Sequence, residues 1–356
     1  MLVIIVTFVL NILIIMKLIE FTEHFSNEES CEQYLKEVRE KQGVVCTKCG
    51  GTAHYWNKAS KSWICKHCHH QTTLTSGTVM HGSNLPLRYW FIAIHLLTAT
   101  KKTISAKEMQ RQLGHKRYQP IWEMMHKLRS VMGLRDAKYK LSGEFELDEG
   151  YFSINSNLSE EEKIKRGIGS QNKAKVLVMV ESQDVEEDKQ KKNRPTKKCG
   201  HIKMEVIKDL KSETFETATE KSVEKESTVT MDNLRGHNGV EKAVENSKKQ
   251  TVPGKEAPKV LPWVHIAISN AKALFQDFFH GIKDAFLQLY LNEFCYKFNR
   301  MYFGDKIFDR LMIAAVAYKP DFEHKIYNKK NEIMLIADNH FILFILNILF
   351  VRLVQL

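Results

Sequence analysis

Glu144-Phe145-Glu146-Leu147-Asp148 alternates acidic and apolar residues with a period of two. That pattern predicts a strand with Phe145 and Leu147 on its core face and Glu144, Glu146 and Asp148 on the other. Downstream, residues 173–181 (KAKVLVMVE) read as an apolar strand and residues 201–209 as a third strand. A helix is expected over 212–223 and a fourth strand over 227–232 (STVTMD). Residues 183–200 form a charged turn with no core residues, and residues 233–262 a long polar connection. Residues 268–303 read as helical and are dense in aromatics. Three strands, a helix, a fourth strand and then helices is the order of an RNase H-like α/β fold.

That order brings acids together. Asp148 lies on the polar face of the first strand and Asp232 ends the fourth. In an RNase H-like sheet these strands are neighbours, so the two carboxylates converge. Phosphodiester chemistry with two divalent ions needs such acids, one ion activating the attacking oxygen and the other stabilising the leaving one. Hard Mg²⁺ takes oxygen ligands and keeps several waters, so two or three side chains suffice. Glu149, next to Asp148, points to the opposite strand face and suits core-edge or salt-bridge duty better than a metal.

Upstream, Ser105 followed by Glu108 has the arrangement of a capping box, and Gly114 ends that helix. A second helix is expected from near Tyr118 through Trp122, Met125, Leu128 and Met132. With Lys116, Arg117, Lys127 and Arg129 nearby, this reads as a helix-turn-helix for DNA, although helix–glycine–helix is also a common structural unit. A further amphipathic helix over 87–100 turns Trp90, Phe91, Ile94 and Leu97 to one side. Before it stand Cys46-Thr-Lys-Cys49 and Cys65-Lys-His-Cys68, separated by Gly50 to Ile64. Two CxxC pairs at this interval are a zinc ribbon: each turn points two thiolates at a tetrahedral Zn²⁺. Tyr55, Trp56, Trp63 and Ile64 suit the strands of a short hairpin between them. Four cysteines close a structural site, which leaves out His67, His69 and His70.

The charge balance agrees with a polyanionic partner: 53 Lys+Arg against 42 Asp+Glu, a net +11 over 356 residues. Cys31, Cys199 and Cys295 are scattered and odd in number, so there is no disulfide framework, and a reducing cytoplasm fits. Residues 1–15 carry no charge and the apolar tail over 340–356 has only Arg352 as a fixed charge. Both fall short of the ~20 apolar residues of a comfortable membrane span. A membrane anchor and an upstream extension before a start at Met16 both account for the first, and the second is preferred. For the tail, a core-packing helix or altered terminus is preferred to a span.

The chain resembles bacterial insertion-sequence transposases of the DDE type with an N-terminal zinc ribbon, the insertion-sequence 1595 family (ISXO2-like). The resemblance runs from about Met16 to Ala315. It is carried in order by VVCTKCG, TSGTVMHGSNLPLRYWFIAI, KTISAKEMQRQLGHKRYQPIWEMMHKLR, FELDEGYF, TMDNLRG, and LPWVHIAISNAKALFQDFF with LNEFCYKFNRMYFGDKIFDRL. It implies Asp148 and Asp232 as the first two catalytic residues and Asn270 as the third, where many relatives carry Glu. An Asn offers a carbonyl oxygen but no charge, so weaker binding of the two Mg²⁺ or Mn²⁺ ions is expected. A helix N-cap or a damaged copy is the alternative for Asn270. His265 is balanced between a structural role and contact with phosphate or a metal-bound water. In the NEFCYKFNR signature, Lys297 or Arg300 is a candidate for phosphate, against packing as the main duty of the stretch. Residues 189–198 read as a solvated loop.

The expected organisation is an apolar extension over 1–15, a helical lead-in over 16–40, the ribbon over 41–80, the helix-turn-helix-like region over 84–135, the catalytic domain over 142–310 and a tail over 311–356. The expected function is a transposase that binds terminal inverted repeats and cleaves and joins DNA as a homodimer or larger assembly at the nucleoid. No small-molecule substrate and no membrane partner are expected. The rivals are an inactive relative acting as a DNA-binding repressor and a membrane-anchored zinc protein.

Overall fold

In the computed structural model, which describes residues 17–100, 102–155, 170, 172–185, 197–251, 260–279 and 281–322, the chain begins with α1 (Leu18–His24) and α2 (Glu28–Gln42). Asn27 starts α2 by accepting a hydrogen bond from the Ser30 amide through its side chain. An antiparallel sheet follows, β1 (His54–Asn57), β2 (Ser62–Cys65) and β3 (Gln71–Thr73). Trp56 pairs with Trp63 and Tyr55 with Ile64, the hairpin expected between the cysteine pairs; β3 adds a strand that the sequence did not announce.

Helices α3 (Leu87–Ala99), α4 (Ala106–Leu113) and α5 (Tyr118–Asp136) complete the N-terminal unit. Ser105 caps α4 by accepting from the Glu108 amide, and Gly114, at φ +62°, ends it in the left-handed conformation. Phe25, Leu35, Trp90, Phe91, Ile94, Leu97, Met109, Ile121 and Met125 are buried in one core shared by ribbon and helices.

The second unit is a five-stranded sheet. Its strands are β4 (Glu144–Ser153), β5 (Lys173–Asp184), β6 (Lys197–Ile207), β7 (Thr228–Asp232) and β8 (Asn246–Gln250), in the order β6-β5-β4-β7-β8. The pairs β4/β5 and β5/β6 are antiparallel, while β4/β7 and β7/β8 are parallel. This is the RNase H-like arrangement. Helix α6 (Ser212–Ser222) covers one face, where Phe215 meets Phe145, Leu147 and Met231. A 3₁₀ turn (Arg235–Gly239) and α7 (Val240–Ala243) link β7 to β8. Helices α8 (Pro262–Phe278) and α9 (Asp284–Asn299) cover the other face, where Val264, Ile268, Leu287 and Leu291 meet Val176, Val178 and Val180.

Beyond the unannounced β3, the structure departs from the expectations elsewhere. Strand β8 lies inside the stretch read as a polar connection. The aromatic helical run is two helices, broken at Gly281 (φ +124°), where the Asn155 amide donates to the Ile282 carbonyl. After a 3₁₀ turn (Met301–Lys306), α10 (Ile307–Ala317) crosses the boundary drawn at 310. It is not a tail: Leu311, Met312 and Ala315 are buried in the N-terminal core, and the Val79 amide donates to the Ala315 carbonyl. Both apolar terminal segments, and most of the 189–198 loop, lie outside the described residues. Among the described residues no helix is long and apolar enough to cross a membrane.

Candidate active site and zinc centre

The parallel pairing of β4 and β7 runs through Phe145–Val229 and Glu146–Thr230 to Leu147–Met231. One residue further along each strand stand Asp148 and Asp232. Because Leu147 and Met231 both face α6, the two aspartates both face the α8 side of the sheet. Each has one oxygen engaged by the protein. Asp148 Oδ1 accepts from the Glu149 amide at 2.8 Å. Asp232 Oδ1 accepts from His237 Nδ1 at 2.8 Å and from the Leu234 amide at 3.2 Å.

Two groups that sequence reasoning missed shape this site. Glu146, buried two residues before Asp148, accepts from the Trp263 and Val264 amides at 2.8 and 2.9 Å. It thereby caps the first turn of α8 and fixes that helix against β4; the signal was Pro262 opening a helix opposite a strand glutamate. His237, wholly buried, bridges two acids: Nδ1 to Asp232 and Nε2 to Glu149 Oε1 at 2.5 Å. Its position depends on Gly239, where a Cβ would stand 1.9 Å from the Ser212 carbonyl oxygen, so the 3₁₀ turn lies directly on α6. Glu149 takes the salt bridge expected of its strand face.

The electrostatics follow from these contacts. Burial would depress His237, but its hydrogen bonds to Asp232 and Glu149 prevail and raise it to about 10. The same bond from His237 holds Asp232 below the usual carboxylate range. Burial, reinforced by the charge of Glu149, pushes Asp148 up to about 6. The site thus joins a firmly ionised carboxylate to one that gains from a nearby cation.

His265 stands beside Asp148, its Nε2 at 3.7 Å from Oδ2. That nitrogen is buried and has no hydrogen-bond partner. Lys272, two turns on, shares the flank: its ammonium lies 5.8 Å from the Phe152 ring centroid and feels the charge of Asp148. Asn270 stands further along the same helix. At 3.6 residues per turn it lies about 140° around α8 from His265. Its side chain is exposed and lines a cleft of about 980 Å³ with Leu274, Glu293 and Lys297.

The NEFCYKFNR stretch braces the two units. Glu293 Oε2 accepts from Arg129 Nε at 2.7 Å, and Oε1 from the Thr103 hydroxyl at 2.6 Å, all buried. Asn299 bonds the Ile202 amide and carbonyl, and Arg300 pairs with Asp136 at 2.5 Å. Lys297 donates to the Lys102 carbonyl. Arg129, expected near DNA, is therefore interior, and Arg300 is committed to Asp136 rather than to phosphate.

In the ribbon, the Sγ atoms of Cys46, Cys49, Cys65 and Cys68 all lie within 4.8 Å of one another. The Gly50 amide donates to the Cys46 carbonyl and the His69 amide to that of Cys65, so each pair closes a tight turn. The four thiolates fit a tetrahedral structural Zn²⁺. His70 Nε2 lies 3.1 Å from the Thr47 hydroxyl, outside that set.

An RNase H-like sheet carrying two neighbouring aspartates, placed behind a four-cysteine ribbon, defines the class of protein. The ISXO2-like transposase domain matches residues 140–299 and the transposase zinc-ribbon domain residues 26–71, together more than half of the chain. The chain belongs to the insertion-sequence 1595 family of DDE transposases. Among solved structures, a Mos1 strand-transfer complex is 12% identical with TM-score 0.27, covering 65% of this chain and 79% of that one. A Mos1 mariner paired-end complex with Mn is 12% identical with TM-score 0.27, covering 61% and 76%. A Mos1 paired-end complex with the left transposon end is 10% identical with TM-score 0.26, covering 64% and 79%. The strand order described above, rather than this loose likeness, carries the fold. No curated protein matches the chain.

Proposed function

We propose that this transposase binds the terminal inverted repeats of its own insertion sequence and cleaves and joins DNA at Asp148 and Asp232. The observation that carries the reading is the pair of aspartates one step beyond Leu147 and Met231 on neighbouring parallel strands. The residues suit hard divalent ions: each aspartate has one oxygen fixed by the protein, and the buried Nε2 of His265 beside them lacks a partner. Two Mg²⁺ or Mn²⁺ ions bound there supply activation of the attacking oxygen and stabilisation of the leaving one.

The chain's own groups prepare that chemistry. His237, neutralised by Glu149 on its far side, holds Asp232 in one orientation and keeps it ionised. Burial and neighbouring acids raise Asp148 to about 6, so a cation held beside it would favour its ionised form. Lys272, on the flank of His265, suits a DNA phosphate. Ribbon residues Lys48, Lys58 and Lys66, and Lys116 and Arg117 at the α4–α5 turn, are exposed and suit the DNA backbone. Pairing two transposon ends calls for at least a dimer on DNA.

The test mixes zinc-loaded protein with labelled DNA carrying the flanking repeats and Mg²⁺ or Mn²⁺. Cleavage at the repeat ends, abolished by Asp148→Ala and by Asp232→Ala, supports the reading. Binding without cleavage under either metal overturns it in favour of a DNA-binding relative without catalysis.

A further inference from the structure

We infer that His265, through Nε2, is the third metal-binding side chain of the site, and that Asn270 is not. The inference rests on the proposed metal-dependent reading. Asp148 Oδ2 and His265 Nε2 face each other at 3.7 Å, too far for a hydrogen bond. Two ligands of one ion, each about 2.1 Å from it, lie roughly 3.0–3.6 Å apart at angles of 90–120°. The observed separation is therefore close to that of two ligands awaiting a shared cation.

Two structural facts hold the imidazole there, and a third leaves its Nε2 open to a ligand. Glu146 caps α8 and sets its first turn against β4, so the position of His265 is tied to the same strand as Asp148. Ile268, one turn on, packs against Gly150, where a Cβ would come within 3.4 Å of its side chain. Nε2 itself is buried and unpartnered, a cost in a folded protein unless something binds it. Asn270 has no corresponding placement: it faces the cleft on the other flank of the helix.

The experiment is Mn²⁺ binding to zinc-loaded full-length protein, followed by electron spin-echo spectroscopy, which detects a nitrogen bonded to the ion. Wild type and Asn270→Ala are expected to show the imidazole nitrogen and to bind Mn²⁺ within about twofold of each other. His265→Gln is expected to lose the nitrogen signal and to bind about tenfold more weakly or worse. His265→Glu is expected to restore affinity without the signal, which separates ligand loss from misfolding. Mn²⁺ that binds through Asp148 with no nitrogen signal in wild type overturns the role of His265 and leaves the proposed function intact. So does a nitrogen signal that survives His265→Gln. Mn²⁺ binding unaffected by Asp148→Asn would instead bring down the proposed function itself.

Discussion

The brace between the two units invites a double-mutant cycle on Arg129 and Glu293. The side chains are 1% and 2% exposed and meet at 2.7 Å. Removing one partner of a buried pair costs about 3–5 kcal/mol, because the other charge stays behind without compensation. In Arg129→Met, Glu293 keeps the Thr103 hydroxyl and Lys297 at 3.9 Å, which points to the lower end of that range. The guanidinium also stacks 4.2 Å from the Tyr290 ring centroid, and losing that contact adds about 1 kcal/mol. The single variant should therefore lose about 4 kcal/mol, a large part of a typical stability of about 5–15 kcal/mol. Glu293→Leu strands the guanidinium and should cost a similar amount. The double variant replaces the pair with apolar groups and should fall only about 0–2 kcal/mol below wild type. Urea unfolding of the zinc-loaded protein measures all four, with equal m-values as the check that the same transition is followed. A double variant as unstable as the two singles added together would refute the claim that these charges stabilise mainly through each other.

Three further outcomes are expected. His237→Phe leaves Glu149 and Asp232 without the cation between them, and should cost about 2–3 kcal/mol in urea unfolding and weaken Mn²⁺ binding; unchanged values for both would remove its positioning role. Cys65→Ser, or a strong chelator, should release one equivalent of zinc and change the fluorescence of Trp56 and Trp63, whose rings lie 4.7 Å apart; retained zinc would contradict the four-thiolate site. His126 is pushed down from its ordinary 6.5 to about 2 by burial and then by the charge of Arg129, so above pH 6.5 it is neutral whether folded or unfolded. As pH falls below that value only the unfolded chain takes the proton, and stability should drop by about 1.4 kcal/mol per pH unit, about 2 kcal/mol by pH 5. His126→Gln should flatten the stability slope between pH 7 and 5; an unchanged slope would place the acid sensitivity elsewhere.

What the sequence disclosed, and what it withheld, follows the range of the interactions. The cysteine spacing, the Ser105 cap, the Gly114 stop and the alternation through Asp148 are local signals, and each appears where expected. Strand β8 was illegible because Asn246–Gln250 is a polar edge strand whose pairing is supplied by β7 from elsewhere in the chain. The His237 bridge joins Glu149 across 88 positions, and no spacing rule reports such a contact. Arg129 read as a surface cation because its charge was visible while its partner lay 164 positions away. Asn270 was named by resemblance alone, whereas the contact of His265 with Asp148, on which the proposal for His265 rests, is legible only once α8 is set against β4.

The brace also bears on how recognition and chemistry are coupled. A ribbon and helix pair joined to a catalytic sheet by a free linker would leave the cutting site undetermined relative to the bound repeat. Here α5 carries Arg129 and Asp136 directly onto α9 and its end, where Glu293 and Arg300 receive them. Asn299 fastens the same helix end to Ile202 of β6, and α10 returns to the N-terminal core. Each tie alone allows some rocking, but ties within α9 and at its C-terminal end, together with the return of α10, resist it. The exposed cations of the ribbon and of the α4–α5 turn are thereby held at a set distance from Asp148 and Asp232. On the proposed function, a DNA end gripped by the first group would meet the second at a defined phosphate, which is the geometric requirement for cutting at the end of a repeat and nowhere else.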